Sequence, residues 1–118
     1  MKNVLLVGDA MLDMYVSGEV SRISPEAPVP VLNFQNRKYK AGGASNVAKN
    51  LASLGLNCHF VTCFASDDAG NTLKSLLQSN NIVVHQVECA STITKTRFVV
   101  VLINFCALTV MTLAHQII

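Results

Sequence analysis

Three observations predict an α/β fold for this 118-residue chain. Short apolar runs of strand length alternate with two stretches whose apolar residues recur at helical spacing. Glycines fall where one kind of run gives way to the other, at Gly8, Gly42-Gly43, Gly55 and Gly70. Hydrophobic residues make up 51% of the chain, enough to fill a packed core and too many for a disordered one.

The first strand is read over 3–8 (NVLLVG), a short apolar run closed by glycine, as a buried parallel strand is. Asp9 and Asp13 follow at its carboxyl end, where open α/β sheets place their ligand crevices. Residues 15–34 hold all three prolines and alternate apolar with polar side chains, which predicts two edge or flap strands around a Pro-rich turn. Arg37, Lys38 and Lys40 form a small basic cluster before Gly42. A helix is predicted over 43–55, with Val47, Ala48, Leu51, Ala52 and Leu54 as its apolar stripe and Gly55 at the left-handed C′ position. Residues 58–64 read as a second strand. Ser66 and Asp67 are N-cap candidates for a helix over 68–79, which buries Leu73, Leu76 and Leu77 and closes at Asn80-Asn81. Strands over 82–87 and 94–101 complete the order β, flap, α, β, α, β, β.

Charge excludes several partners. The net charge is +2, with neither a polybasic arm nor an acidic tail, so neither nucleic acid nor an anionic membrane surface is indicated. Cys58, Cys63, Cys89 and Cys106 show no C-x-x-C spacing and are read as free thiols of a reducing cytoplasm. No metal site is expected, because His59 beside Cys58 cannot complete one. His85 and His115 have no partner in view and are read as structural. Lys2 is followed by too short an apolar run for a signal peptide.

Three groups could carry chemistry. Asp9 and Asp13 could accept hydrogen bonds from sugar hydroxyls or hold a metal; the alternative is a turn and helix-cap pair, which such residues often form. Gly42-Gly43-Ala44-Ser45-Asn46 opens a helix. Its glycines allow close backbone approach, and Asn46 offers a donor and an acceptor to a hydroxyl, although the segment is neither G-x-G-x-x-G nor a P-loop. Lys95 and Arg97 alternate on a strand and share a face, as a phosphate clamp or a solvated surface would.

Taken in order, GDAMLD (8–13), SRISPEAPVPV (21–31), AGGASNVAKNLASLG (41–55), SDDAG (66–70) and TITKTRFV (92–99) resemble the N-terminal part of the ribokinase-like (pfkB) carbohydrate kinases. Within that family, SRISPEAPVPV looks like the kinase domain of the bacterial heptose 7-phosphate kinases, which serve ADP-heptose and lipopolysaccharide synthesis. The resemblance covers residues 1–99. It implies the N-terminal portion of a three-layer αβα fold with a β lid at about 15–34, a lid that closes the sugar site and pairs in a homodimer. It implies a cytoplasmic phosphotransferase acting on a sugar phosphate, with ATP and Mg2+ as cofactors and the heptose 1-OH as acceptor. By the same resemblance Asp13, Gly42, Gly43 and Asn46 bind sugar hydroxyls, and Lys95 lies near them. Ala65 stands where the family often has glycine.

The family's G-A-G-D motif, with its general base and anion hole, does not occur in these 118 residues, and the nucleotide site belongs to the same later half. No catalysis and no secure ATP binding are therefore expected of this chain. Residues 100–118 diverge from the family, and from Phe98 to Ile118 no charge occurs. A frame-shifted or truncated gene end explains why resemblance and composition change together. A membrane span has the length but is interrupted by Asn104, Thr109, Thr112, His115 and Gln116 and has no charged stop. A non-catalytic interaction module, or anchorage through 98–118, are the alternative functions.

Overall fold

The computed structural model describes residues 1–78, 81–102 and 110–117, with side chains over 1–78 and 81–100. Seven strands and two helices follow in the order β1 (Asn3–Val7), β2 (Ala10–Ile23), β3 (Pro30–Gly43), α1 (Ala44–Ser53), β4 (Asn57–Cys63), α2 (Asp68–Leu77), β5 (Ile82–Val87), β6 (Thr94–Leu102) and β7 (Val110–Ile117). They build two sheets. One is parallel, in the order β1-β4-β5; the other is mixed, in the order β3-β2-β6-β7.

The parallel sheet follows from its pattern of alternate burial. Cys58, Phe60 and Thr62 of β4 point inward, and with Leu6, Ile82 and Val84 they meet α1 and α2. Phe60, Phe64, Leu12, Leu73, Leu77 and Ala48 are almost wholly buried and form the centre of the core. The opposite face, carrying Leu5, Val7, Val83 and Val87, is exposed.

Each helix is held at one end by a specific cap. Beyond α1, Gly55 takes φ +79, its N–H donates to the Ala52 carbonyl, and the Leu56 N–H donates to that of Leu51. This is the Schellman arrangement expected of a C′ glycine. At α2 the Asp67 carboxylate accepts from the Gly70 N–H at 2.7 Å. Asp67 is thus the cap, while Ser66 donates its N–H and hydroxyl to Glu88.

The mixed sheet is larger than the expected flap. β2 and β3 pair antiparallel from Ala10↔Gly43 to Ile23↔Pro30, so the hairpin spans 10–43 and only 24–29 form its connection. Buried Ala10, Leu12, Val16 and Val20 alternate with more exposed residues, and this period of two makes the first segment a strand. Asp13, expected at the carboxyl end of β1, therefore sits within β2. The basic cluster Arg37, Lys38 and Lys40 is part of β3.

β6 pairs parallel with β2 from Leu12↔Thr94 to Val20↔Leu102, running past position 99. β7 pairs antiparallel with β6, placing residues 110–117 of the uncharged tail at the sheet edge. No helix among the described residues is long and apolar enough to cross a membrane. Cys106 and Asn80 lie outside the described residues, as do the side chains of 101–118, including His115.

One expectation is corrected here. His85 is not alone: its Nε2 lies 3.2 Å from His59 Nδ1. The two histidines are 26 positions apart in sequence, and the parallel pairing of β4 with β5 brings them together.

Candidate functional site

The site residues gather on the mixed sheet beside the start of α1. Asp13 on β2 is the Cα partner of Lys40 on β3 and of Lys95 on β6. Residues paired in register share a face, so this row presents one carboxylate between two ammonium-bearing side chains. Two positions along, Tyr15 is flanked by Lys38 and Arg97 in the same way.

Tyr15 organises the cations. Its hydroxyl accepts a 2.6 Å hydrogen bond from Arg97 Nη1, and the Arg97 guanidinium carbon lies 5.5 Å from its ring centre. Lys40 Nζ lies 5.2 Å from the same centre. An aromatic face attracts cations at such distances. It holds two positive side chains beside Asp13 without neutralising them.

Gly42 and Gly43 have separate causes. A Cβ on Gly42 would stand 2.7 Å from Asp13 Oδ2, so the Asp13 carboxylate occupies the space that any other residue's side chain would need. Gly43 takes φ +60, and a Cβ there would meet the Asp9 carbonyl at 2.7 Å. That carbonyl accepts from the Ala44 N–H at 3.0 Å, fixing the start of α1. Gly43 is the N-cap with no side-chain acceptor, and α1 has no acidic residue in its first turn. Beyond the Ala44 N–H, no side chain caps the N–H groups of the first turn, as at helix starts that receive solvent or a ligand.

Asp13 Oδ1 is buried and has no hydrogen-bond partner, an uncommon state for a carboxylate oxygen. Ser45 Oγ is in the same condition. Asn46 lies exposed in the first turn of α1. The structure thus brings Asp13, Lys40 and Lys95 into one row, sets Gly42, two positions along from Lys40, against the Asp13 carboxylate, and places Gly43 and Asn46 at the adjoining helix start. Asp9 is separated from Asp13 and belongs to the β1–β2 connection. Sequence reasoning missed Tyr15 and Lys40 as site residues. The signal was their spacing of two from Asp13 and from Gly42.

A hollow of about 240 Å3 opens at the carboxyl ends of the parallel strands between Val7, Gly8, Asp9, Thr62, Cys63 and Val87. Thr62 Oγ1 is used there, accepting from the Ala10 N–H at 2.9 Å. The Cys63 thiol is pushed up by its hydrogen bond with Cys89, by burial, and by the carboxylates of Asp9 and Glu88. Burial also pushes up the Cys58 thiol. Cys58, Cys63 and Cys89 are all free thiols. Among the described residues no group of three His, Cys, Asp or Glu side chains converges as a metal site would need.

The sequence pattern described as pfkB family carbohydrate kinase matches residues 1–106. A curated relative, the bifunctional protein HldE of Magnetococcus marinus, is 50% identical over 101 residues, covering 83% of this chain and 21% of its own length. The chain therefore spans about a fifth of the length of such relatives. Among solved structures, a carbohydrate kinase from Agrobacterium tumefaciens superposes with a TM-score of 0.70 at 21% identity, over 98% of this chain and 36% of its own. Arabidopsis thaliana ribokinase, complexed with ribose and ATP, gives a TM-score of 0.68 at 18% identity, over 98% of this chain and 35% of its own. Those two likenesses show the fold.

Proposed function

Because the chain belongs to the pfkB family of carbohydrate kinases, we propose that its 118 residues form the sugar-binding side and β lid of a cytoplasmic heptose 7-phosphate kinase. The reaction is transfer of the ATP γ-phosphoryl group to the 1-OH, giving the 1,7-bisphosphate. The observation that carries this reading is the unpartnered, buried Oδ1 of Asp13 set between Lys40 and Lys95. A carboxylate oxygen without a donor suits a sugar hydroxyl, and adjacent cations suit a phosphate on the same sugar.

Each residue then has a binding task. Asp13 accepts from hydroxyls, Asn46 donates and accepts, and the N–H groups of the first turn of α1 beyond Ala44 serve the sugar, with Gly42 and Gly43 allowing its close approach. Lys95 and Lys40 hold the phosphate, with Arg97 braced on Tyr15 beside them. The β2–β3 hairpin serves as the lid and as the homodimer contact. These residues do not fit a magnesium ion, since Lys40 and Lys95 flank the Asp13 carboxylate and repel a cation, so no step is routed through one. The residues that receive ATP and remove the acceptor proton are not among these elements. Phosphoryl transfer needs an aligned nucleophile, a base and stabilised charge, so the 118 residues bind sugar weakly and do not turn it over.

Titration calorimetry with heptose 7-phosphate tests this. Losing a hydrogen bond to a charged group costs roughly 1.5–3 kcal/mol, or about 10- to 150-fold in affinity, and this is the expected effect of Asp13→Ala. Lys95→Ala is expected to weaken binding of the phosphorylated sugar and leave that of the unphosphorylated heptose unchanged. Equal binding by wild type and Asp13→Ala would reject the pocket. ADP release by the purified chain, lost in Asp13→Ala, would reject the non-catalytic reading.

A further inference from the structure

Two positions along β2 from Asp13, side chains of three strands meet on one ring. Tyr15 of β2 is the Cα partner of Lys38 on β3 and of Arg97 on β6. Its hydroxyl accepts from Arg97 Nη1 at 2.6 Å. The Arg97 guanidinium carbon lies 5.5 Å from the ring centre, and Lys40 Nζ lies 5.2 Å from it. Lys40 arrives from β3 and Arg97 from β6, so the ring gathers one cation from each strand that flanks β2. These contacts lie inside the mixed sheet, between strands already paired. The next row along, Ser17 with Asn36 and Val99, carries no charge.

We infer that Tyr15 is the positioning residue of a phosphate subsite, holding Arg97 and Lys40 so that the pair reads the phosphate monoester of a sugar phosphate; the inference rests on the sugar-binding reading of Asp13. A phosphate monoester is close to dianionic at neutral pH, and two cations answer it. The Arg97 guanidinium spends a single N–H on the phenol. The rest of its fork stays available to phosphate oxygens.

The choice of a tyrosine follows from charge. A carboxylate at position 15 would hold the guanidinium equally well and would cancel its charge. A phenol holds it and leaves the charge whole. The ring does the same for Lys40, by attraction without neutralisation. Unanchored Arg and Lys side chains surrender rotamer freedom when a ligand arrives, whereas anchored ones have surrendered part of it beforehand. Tyr15 thereby sets the preference for phosphorylated over unphosphorylated sugar, while Asp13 serves both.

Calorimetry on the full chain with heptose 7-phosphate, unphosphorylated heptose and inorganic phosphate tests this. Tyr15→Phe keeps the ring and removes the hydroxyl. One ordinary intramolecular hydrogen bond corresponds to about 2- to 13-fold in an equilibrium constant. A fall of that size is expected for heptose 7-phosphate and for inorganic phosphate, with heptose unchanged. Tyr15→Leu removes both holds and should lower the two phosphate affinities further. Arg97→Lys keeps the charge, loses the fork, and should fall at least as far as Tyr15→Phe. Equal binding of both phosphate ligands by wild type and Tyr15→Phe overturns the inference, as does a Tyr15→Phe chain that loses heptose as strongly as heptose 7-phosphate. So does a wild-type chain that binds neither phosphate ligand. Should Tyr15→Phe lower the melting temperature, the ratio of its two sugar affinities decides, because partial unfolding lowers both alike. The sugar pocket is read separately. Asp13→Ala is expected to weaken both sugars without weakening inorganic phosphate. If it weakens neither sugar, the pocket reading fails, and inorganic phosphate in Tyr15→Phe still scores the subsite.

Discussion

Asp67 shows how one side chain joins two parts of the fold. Its carboxylate caps α2 through Gly70 and also accepts from the Thr92 hydroxyl at 2.7 Å and the Thr92 N–H at 3.1 Å. The Thr92 hydroxyl bond, then the backbone N–H bonds of Thr92 and Gly70, hold its carboxyl below the ordinary value of 3.8. A depressed folded value means that the stabilisation is complete at neutral pH. It fades as pH falls from 3.8 through the folded value. Asp67→Ala should cost about 0.5–2 kcal/mol at pH 7. Urea unfolding at pH 7 and at pH 3 is expected to show the gap between wild type and variant narrowing at the lower pH. Ser45 gives the opposite sign. Its hydroxyl is buried with no partner, so Ser45→Ala is expected to raise stability by up to about 1 kcal/mol in the same assay.

At the scale of elements, β2 was legible in its composition but not in its extent. Ala10, Leu12, Val16 and Val20 carry a clear period of two, yet Asp13 in their midst reads equally as a turn residue. The ambiguity is physical, because an aspartate enters a strand only where something beside the strand needs a carboxylate. The neighbours that answer it, Lys40 and Lys95, lie 27 and 82 positions away, and strand register rather than spacing brings them close. The same holds for His59 with His85. By contrast the helices and the Gly55 cap are set by neighbours within a few residues, and the structure agrees with them, although Val47 and Leu54 of the expected α1 stripe lie exposed and only Ala48, Leu51 and Ala52 of it meet the core.

The glycine pair separates these two kinds of cause. Gly42→Ala should drive the Asp13 carboxylate from its place while the backbone stays within ordinary torsions. Sugar-phosphate affinity is expected to fall as far as in Asp13→Ala, with little change in melting temperature. Gly43→Ala places a side chain at φ +60 against the Asp9 carbonyl. It should lower stability by at least about 1 kcal/mol, visible in thermal unfolding. If both variants lose stability equally and neither affects binding, the Asp13–Gly42 contact has no part in the site.

Across the whole molecule, the two faces of the parallel sheet are unequal. One is sealed by α1 and α2. The other exposes Leu5 and Val7 of β1 at 69% each, and Val87 at 55% and Val83 at 40% of β5, on either side of the half-buried His59 and Val61 of β4. Water in contact with these apolar side chains is released when two copies meet, and exposed apolar surface of this kind promotes association. The 118-residue chain is therefore expected to associate in a concentration-dependent way. Val7→Lys with Val87→Lys should reverse this. Both positions lie at the carboxyl ends of their strands, both side chains are already exposed, and a long charged chain there meets no core atom. Each substitution costs at most about 1 kcal/mol of strand preference, so the core should survive it. Size-exclusion chromatography with light scattering across a tenfold concentration range provides the measurement. A wild-type chain that stays monomeric throughout would mean that this face is too small or too interrupted by His59 and His85 to drive association. A double variant that associates as strongly as wild type would place the contact elsewhere, and the exposed edge of the β2–β3 hairpin, with Ile23, Val29 and Phe34, would be the next surface to charge.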